Sequence, residues 1–469
     1  MRKLYWYLTA YAKKYGLLFG LMVILGFSFF SIILPQTFQS LENKPTSYIG
    51  MIGQFTLQTL PEEITQKISA GLTKIENDDT VSPMLAERWT VEHDGTTYRF
   101  VLKQDLKWQD GENLVTEDVS YQFVDVETII TPNDIVFKLP AAYTPFPSSA
   151  AQPLLKNGTL TRWLFIKKPT LIGVGPFTII DYKYKSNERY LAEIVLDKSD
   201  QRLVYRFYLT EKNATDAFKE GEVDILLDLA QVWPVMQWDN VKTTAKINSH
   251  QYSAVFFNHI NPKFTKNLRQ ALAYAITKPP KERRALGPIS TNSWVKLDGV
   301  KSYDKDIDRS LERILEELPR EKLDFSLVTT TLFAQQAETF KTEWEEMGQL
   351  AAAKCQGNSA IKEKELCENL KINIQLHISN FPDTNNFDLM LIGQTIPNDP
   401  DQYELWHSDQ PGNFSGYKNT RIDTLLEKGR QTQDSAERLA IYQEFQQFIT
   451  EDAAAIFLEQ LPSYQIERK

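Results

Sequence analysis

Between Leu323 and Ile392 the chain reads Leu-Asp-Phe-Ser-Leu at 323–327, a helix-like stretch from Ala334 to Met347, Ile-Asn-Ile-Gln-Leu-His-Ile at 372–378 and Phe-Asp-Leu-Met-Leu-Ile at 387–392. Leu323, Phe325 and Leu327, and then Ile372, Ile374, Leu376 and Ile378, place an apolar residue at every second position. Successive side chains of a strand face opposite sides, so both segments predict strands with one buried face. The 387–392 run lacks that alternation. It predicts a strand covered on both faces, as in sheets whose crossover helices lie above and below. The order is strand, helix, strand, and it makes the fold class α/β.

Working outward, Trp89–Val91 and Tyr98–Leu102 flank His93-Asp94-Gly95. An Asp-Gly pair supplies the positive φ that a tight turn needs, so a β-hairpin is predicted. Thr116, with Glu117 and Asp118 behind it, predicts a capped helix carrying Val119 and Phe123 on one face. Leu268, Ala271, Leu272, Ala275 and Ile276 form the stripe of a core-packed helix that Pro279-Pro280 ends. Near the C-terminus, Asp434 and Glu437 read as a capping box for a helix buried through Tyr442, Phe445, Phe448 and Ile449.

The 469 residues are 42% hydrophobic and 24% charged, a globular balance in a chain long enough for two or three lobes. Lys+Arg 52 against Asp+Glu 61 leaves a net charge of −9, the wrong sign for a phosphate-seeking surface, and no nucleic-acid partner is expected. At the N-terminus, a basic and aromatic flank (residues 1–16, with Arg2, Lys3, Lys13 and Lys14) precedes an uncharged run from Leu17 to Leu34. At about 1.5 Å per residue this run approaches the roughly 30 Å hydrocarbon core. It predicts an uncleaved transmembrane anchor with the flank cytoplasmic and the rest of the chain extracytoplasmic. In that oxidising space Cys355 and Cys367 form a candidate disulfide closing a loop of about a dozen residues.

Catalytic and cofactor motifs are missing. Gly173-Val174-Gly175 runs into Pro-Phe-Thr rather than a third glycine, and no Gly-Lys-Ser/Thr occurs. His93, His250, His259, His377 and His407 never fall at i, i+4, so no helical zinc pair exists. Asp399 and Asp401 flank a proline and read as turn formers. No enzyme, no cofactor and no resident metal are expected.

Several stretches taken in order resemble the extracytoplasmic solute-binding proteins of family 5, the peptide and oligopeptide receptors of ATP-binding-cassette importers. They are Ser82-Pro83-Met84-Leu85-Ala86-Glu87-Arg88-Trp89, Asp94-Gly95-Thr96-Thr97-Tyr98-Arg99-Phe100, Leu106-Lys107-Trp108-Gln109-Asp110-Gly111, Gly173-Val174-Gly175-Pro176-Phe177, Phe256-Phe257-Asn258 ahead of the 268–276 helix, and Asn413-Phe414-Ser415-Gly416-Tyr417. The resemblance implies a two-lobed fold of the periplasmic-binding-protein type II kind with a ligand cleft between the lobes. Lobe I would be 46–252 plus 456–469 and lobe II 260–455. Tyr252–Asn258 and Ile456–Leu461 would be the crossings, or else internal strands of one sheet. It further implies a peptide or other small solute as ligand and a membrane permease as partner.

The family's peptide receptors hold the ligand's amine with an aspartate in a loop that corresponds to Gly393–Tyr403. Here that loop is about one residue shorter, and no acid lies between Gly393 and Asp399. Gln394 and Thr395 would then face a neutral or blocked ligand, with Phe55, Thr56, Asn258, Tyr403 and Trp406 as further candidate lining residues; the alternative for each is an ordinary loop or core role. An oligosaccharide or chelated metal as cargo, or a surface sensor or chain-holding role, stays open at this level.

Overall fold

The computed structural model describes residues 44–162, 166–186 and 189–469, with residues 5–7, 9–11, 13–16, 20–24 and 26–27 helical ahead of them. Much of the expected anchor over 17–34 therefore lies outside the described residues. Among those described, no helix is long and apolar enough to cross a membrane.

Strand β1 (Thr46–Ile52) is followed by a short hairpin, β2 (Thr73–Ile75) and β3 (Val81–Pro83), and by a four-stranded antiparallel unit of β4 (Ala86–Glu92), β5 (Thr97–Leu102), β6 (Glu127–Ile130) and β7 (Asp134–Lys138). A second hairpin, β8 (Lys156–Arg162) and β9 (Ile166–Ile172), leads into β10 (Thr178–Tyr184), β11 (Leu191–Asp197), β12 (Arg202–Tyr208), β13 (Ile225–Leu229) and the long β14 (Val241–Phe257). Then come β15 (Leu323–Thr329), β16 (Ile372–Ile378), β17 (Leu389–Thr395) and the long β18 (Ala455–Arg468). Ten of these form one sheet in the order β10-β11-β12-β1-β13-β18-β14-β17-β15-β16.

The sheet's directions locate the site. β1 runs parallel to β12 and β13 in one half, and β15 runs parallel to β16 and β17 in the other. Between them β14 and β18 form a long antiparallel ribbon. Leu229, the last residue of β13, lies opposite Tyr464, which faces Ala245, while Thr395, the last residue of β17, lies opposite Gln251. The carboxyl ends of both parallel clusters thus converge on the middle of the ribbon, where its register breaks between Ile247 and Tyr252. The two expected crossings are themselves ribbon strands, paired from Tyr252–Gln460 to Phe256–Ala455.

Strand alternation divides the core. Tyr252, Ala254 and Phe256 enter one apolar cluster with Trp406 and Tyr442, while Val255 and Phe257 enter the other with Phe340 and Trp344. Cys355 and Cys367 are fully buried in the second cluster and form a disulfide.

The β4–β5 hairpin turns on Asp94 (φ 52°) and Gly95 (φ 88°), as its sequence predicts. The helix expected from Thr116 stops after a single turn at Asp118. Asp118 Oδ2 is already committed, accepting from Trp108 Nε1 and from the Val115 amide, both at 3.0 Å. The chain then leaves the helical path so that Phe123 can pack on Phe137 and Phe146, with ring centroids 5.6 and 5.1 Å apart. Lys364 caps the Ala334–Gly357 helix: its Nζ donates to the carbonyls of Cys355 (2.7 Å) and Gln356 (2.8 Å). A cation there complements the helix's negative end.

Candidate functional site

In α/β sheets, ligands gather beyond the carboxyl ends of the strands. Here that place holds a cavity of about 920 Å³, within the size range of small-molecule sites. One wall is Asp228–Gln231, at and after the end of β13. The facing wall is the Thr331–Phe333 turn, through Leu332 and Phe333, and the start of the Ala334–Gly357 helix, through Gln335, Gln336 and Thr339. The ribbon supplies Asn248, Gln251, Glu459 and Leu461–Tyr464, and Arg283 stands at the side.

Local sequence explains how the charged residues arrive. Pro279-Pro280 blocks continuation of the 266–275 helix, and a single turn, Lys281–Arg283, follows. The chain then docks on β18: Arg284 bridges Glu459, and the Ala285 amide donates to the Leu458 carbonyl at 3.2 Å. In β18 a bulge accommodates Leu458, since Glu459 pairs with Ser253 while Phe457 pairs with Ala254.

Glu459 Oε2 consequently lies 3.5 Å from Arg283 Nη2, close enough for attraction, yet it makes no hydrogen bond. Burial pushes the Glu459 carboxyl above the ordinary range and Arg283 only partly offsets it. Directly across the ribbon, the buried Ser253 Oγ also has no hydrogen-bond partner. The helix that opens at Ala334 has no side-chain cap, so the partial positive charge of its first turn is not neutralised by a capping side chain.

A second cavity, of about 440 Å³, lies between Glu62, Gln66 and Ser69–Gly71 on one side and Asn398 on the other. In the ribbon, His250 Nε2 sits 3.1 Å from Asp79 Oδ1, a carboxylate on the β2–β3 turn with 2% of its side chain exposed. This contact raises the imidazole's affinity for a proton, against its partial burial.

The residues singled out from sequence are placed differently, and none of them lines the larger cavity. Phe55 packs edge to face on Phe207, 5.1 Å between centroids, and Thr56 bonds Thr59 within a turn. Asn258 donates Nδ2 to the Phe387 carbonyl at 2.9 Å and accepts from the Ile260 amide at 3.1 Å. Trp406, 1% exposed, stacks on Phe256 in the core. Tyr403 stacks on His407, with 4.2 Å between ring centroids, and the Arg430 guanidinium lies 4.1 Å from its ring. Gln394 and Thr395 end β17 opposite Tyr252 and Gln251, one strand away from the cavity wall.

Asp399 and Asp401 are more than turn formers. Asp399 takes both Nη atoms of Arg438 at 3.0 and 2.6 Å, and Asp401 takes Arg430 Nε at 2.9 Å. Sequence reasoning missed Arg283 and Glu459. The available signal was one acid inside the otherwise apolar and neutral run Ala453–Leu461.

A model of the bacterial extracellular solute-binding proteins, family 5 Middle, matches residues 80–280. The dipeptide-binding protein DppE of Bacillus subtilis is 22% identical over a match covering 50% of this chain and 50% of that one, so the chain spans about half the length of that relative. The oligopeptide-binding protein AppA of the same organism is 23% identical, with 87% of this chain and 85% of its own covered. Among solved structures, NikZ from Campylobacter jejuni in complex with Ni(L-His) superposes with a TM-score of 0.64 at 20% identity, covering 91% of this chain and 94% of that one. The chain resembles the family 5 solute-binding proteins in sequence, and its fold is their two-lobed α/β fold. These relatives are binding proteins rather than enzymes.

Proposed function

We propose that the protein is an extracytoplasmic receptor that captures a small peptide-like solute or a metal chelate between its lobes and delivers it to a membrane permease. The observation that carries this reading is the 920 Å³ cavity where the carboxyl ends of the two parallel clusters meet. Its walls come from opposite halves of the sheet, so hinge motion about the ribbon opens and closes it. The lobes are 46–252 with 456–469, and 260–455, and the crossings are Tyr252–Asn258 and Ile456–Leu461. The uncharged run from Leu17 to Leu34 supports a membrane anchor.

Relatives that bind peptides or Ni(L-His) support both cargo classes. Among the described residues, no group of three His, Cys, Asp or Glu can hold a metal. Nickel as cargo would be carried as a complex, in the manner of the Ni(L-His) held by NikZ.

The test is the melting temperature of the full chain, stripped of bound ligand, against free peptides, oligosaccharides and nickel–histidine. A cargo at one hundred times its dissociation constant adds about 2.7 kcal/mol of stability, a readable shift. A rise with peptides or nickel–histidine supports the reading, a rise with sugars alone reassigns the cargo, and no rise with any class overturns it.

A further inference from the structure

A third cavity, of about 10 Å³, lies behind the crossing strand β18, whose Ala455, Ile456 and Phe457 form one wall. Lys278, Lys301 and Ser302 stand on its other sides, and none of its lining residues is acidic. Pro279-Pro280 prevents the Lys266–Ala275 helix from continuing, and Lys278 folds back on it, its Nζ donating to the Ala273 carbonyl at 2.8 Å. Lys301 Nζ lies over the rings of Tyr303 and Tyr274, 4.9 and 5.8 Å from their centroids.

Neither lysine has a carboxylate partner among the described residues, because the acids around them are already spent. Asp304 pairs with Arg284 and accepts from Ser302 Oγ at 3.1 Å. Glu343 accepts from Lys305 Nζ at 2.7 Å and from the Thr277 amide at 2.8 Å. Although Lys278 keeps part of its surface exposed, the protein packed around it and the Arg284 guanidinium lower its pKa to about 7, against the pull of Glu343 and Asp304. A desolvated ammonium without a counterion either loses its proton or gains an anion. Charged Lys278 keeps two N–H groups beyond the one given to Ala273, and Lys301 spends none of its three on a hydrogen bond.

We infer that this cavity is a binding site for one small inorganic anion of halide size, held by the ammonium groups of Lys278 and Lys301. Its volume suits a single ion comparable to a water molecule and is too small for a peptide or a metal chelate, so the site is separate from solute capture. The anion links the segment after the Lys266–Ala275 helix to the 301–302 segment directly behind Ala455–Phe457, and so braces the ribbon about which the lobes move. Binding also draws a proton onto Lys278, so the affinity falls as the pH rises above about 7.

The experiment measures the line width of the chloride NMR signal with the full chain, at an ionic strength held constant with sodium gluconate and with bromide as competitor. It is repeated on Lys278→Met and Lys301→Met, with circular dichroism to check folding. The inference expects the wild-type chain to broaden the signal beyond a protein-free blank, bromide to reverse the broadening, and each folded variant to lose at least half of it. Chloride affinity of the wild type should be weaker by about tenfold or more at about pH 9 than at about pH 6, since the amine must be charged. A signal no broader than the blank overturns the assignment. So does broadening that bromide leaves in place, that both folded variants retain in full, or that is independent of pH. Should one variant fail to fold, the other decides, because the two lysines lie on different segments. None of these outcomes bears on the receptor reading, which stands or falls by the solute melting series.

Discussion

Two charged regions of this molecule use the same residue types to opposite ends. In the loop after β17, Asp399 and Asp401 are bonded to Arg438 and Arg430, and the turn that follows Arg430 is stitched to the small antiparallel unit. Thr144 donates its amide to the Arg430 carbonyl at 2.7 Å and its hydroxyl to the Thr432 carbonyl at 3.0 Å, and Gln433 Nε2 donates to Thr144 Oγ1 at 2.7 Å. At the ribbon, Arg283 and Glu459 face a cavity with attraction but no bond. Fully partnered charges hold the loop after β17 against its own helices, while neutral hydrogen bonds from Thr144 and Gln433 tie that region to the antiparallel unit; a charge left short of partners has capacity for something else. A carboxylate's role is read from its remaining hydrogen-bonding capacity more than from its identity.

The largest expected effect breaks the sealed side. Arg438→Ala strands the Asp399 carboxylate in a site where only 12% of its side chain is exposed, and unpairing a buried charge costs about 3–5 kcal/mol. Denaturant unfolding will show that loss as a lower midpoint, and Trp406→Ala will behave similarly, since deleting a fully buried indole costs about 3–5 kcal/mol. In neither case is the ligand-bound geometry expected to change before the fold does.

Next in size is the disulfide. Replacing both Cys355 and Cys367 with alanine removes a short-loop cross-link worth about 3 kcal/mol. Thermal melts with and without reductant will converge in the double variant and differ in the wild type.

Acid supplies a third contrast of comparable size. His259 is held to the Ala454 carbonyl at 2.9 Å, and burial beside Arg269 lowers its pKa to about 4. The unfolded chain takes up that proton near the ordinary imidazole value of ~6.5. The stability from a neutral His259 is therefore complete above about pH 6.5 and is lost as the pH falls toward 4, by at most about 3 kcal/mol. His259→Gln should flatten that part of the stability profile.

Smaller still is the contact between Gln433 and the antiparallel unit. Gln433→Ala removes the hydrogen bonds to Thr144 and Tyr98, about 1 kcal/mol. The effect should appear as weaker closure, read by small-angle scattering of the ligand-bound chain. The smallest stability change belongs to Glu459→Gln. A carboxyl whose folded pKa is raised costs stability once it ionises, so the neutral amide should leave the neutral-pH melting temperature unchanged or slightly higher.

Much of the fold was legible in the sequence because its signals are local. The alternation at 323–327 and 372–378, the Asp94-Gly95 turn and the Asp434 cap each depend on neighbouring residues alone, and β15, β16, the β4–β5 hairpin and the Ser435–Glu451 helix follow from them. Where a local signal competed with tertiary bonding, it failed. Thr116-Glu117-Asp118 has the composition of a helix start, but Trp108 and the aromatic cluster around Phe137 claim the segment. The site was least legible. Arg283 and Glu459 are far apart in the chain and meet only because the Arg284 backbone docks on a bulged β18, which no spacing rule anticipates. Trp406 looks like a ligand-facing aromatic in sequence and belongs to the core in the structure, while Phe55 is half-buried against Phe207 at the edge of another cluster, since an apolar ring satisfies both descriptions equally.

On this reading solute enters the cavity between the carboxyl ends of the two strand clusters. Its most direct test places a bulky side chain there: Gln336→Trp, on the first turn of the helix that forms one wall. Calorimetric titration of the full chain with a peptide or nickel–histidine that binds the wild type should show that binding abolished in Gln336→Trp while its melting temperature without ligand stays near wild type. Undiminished affinity in the filled variant would contradict the account and move the ligand to the other face of the ribbon, near His250 and Asn398.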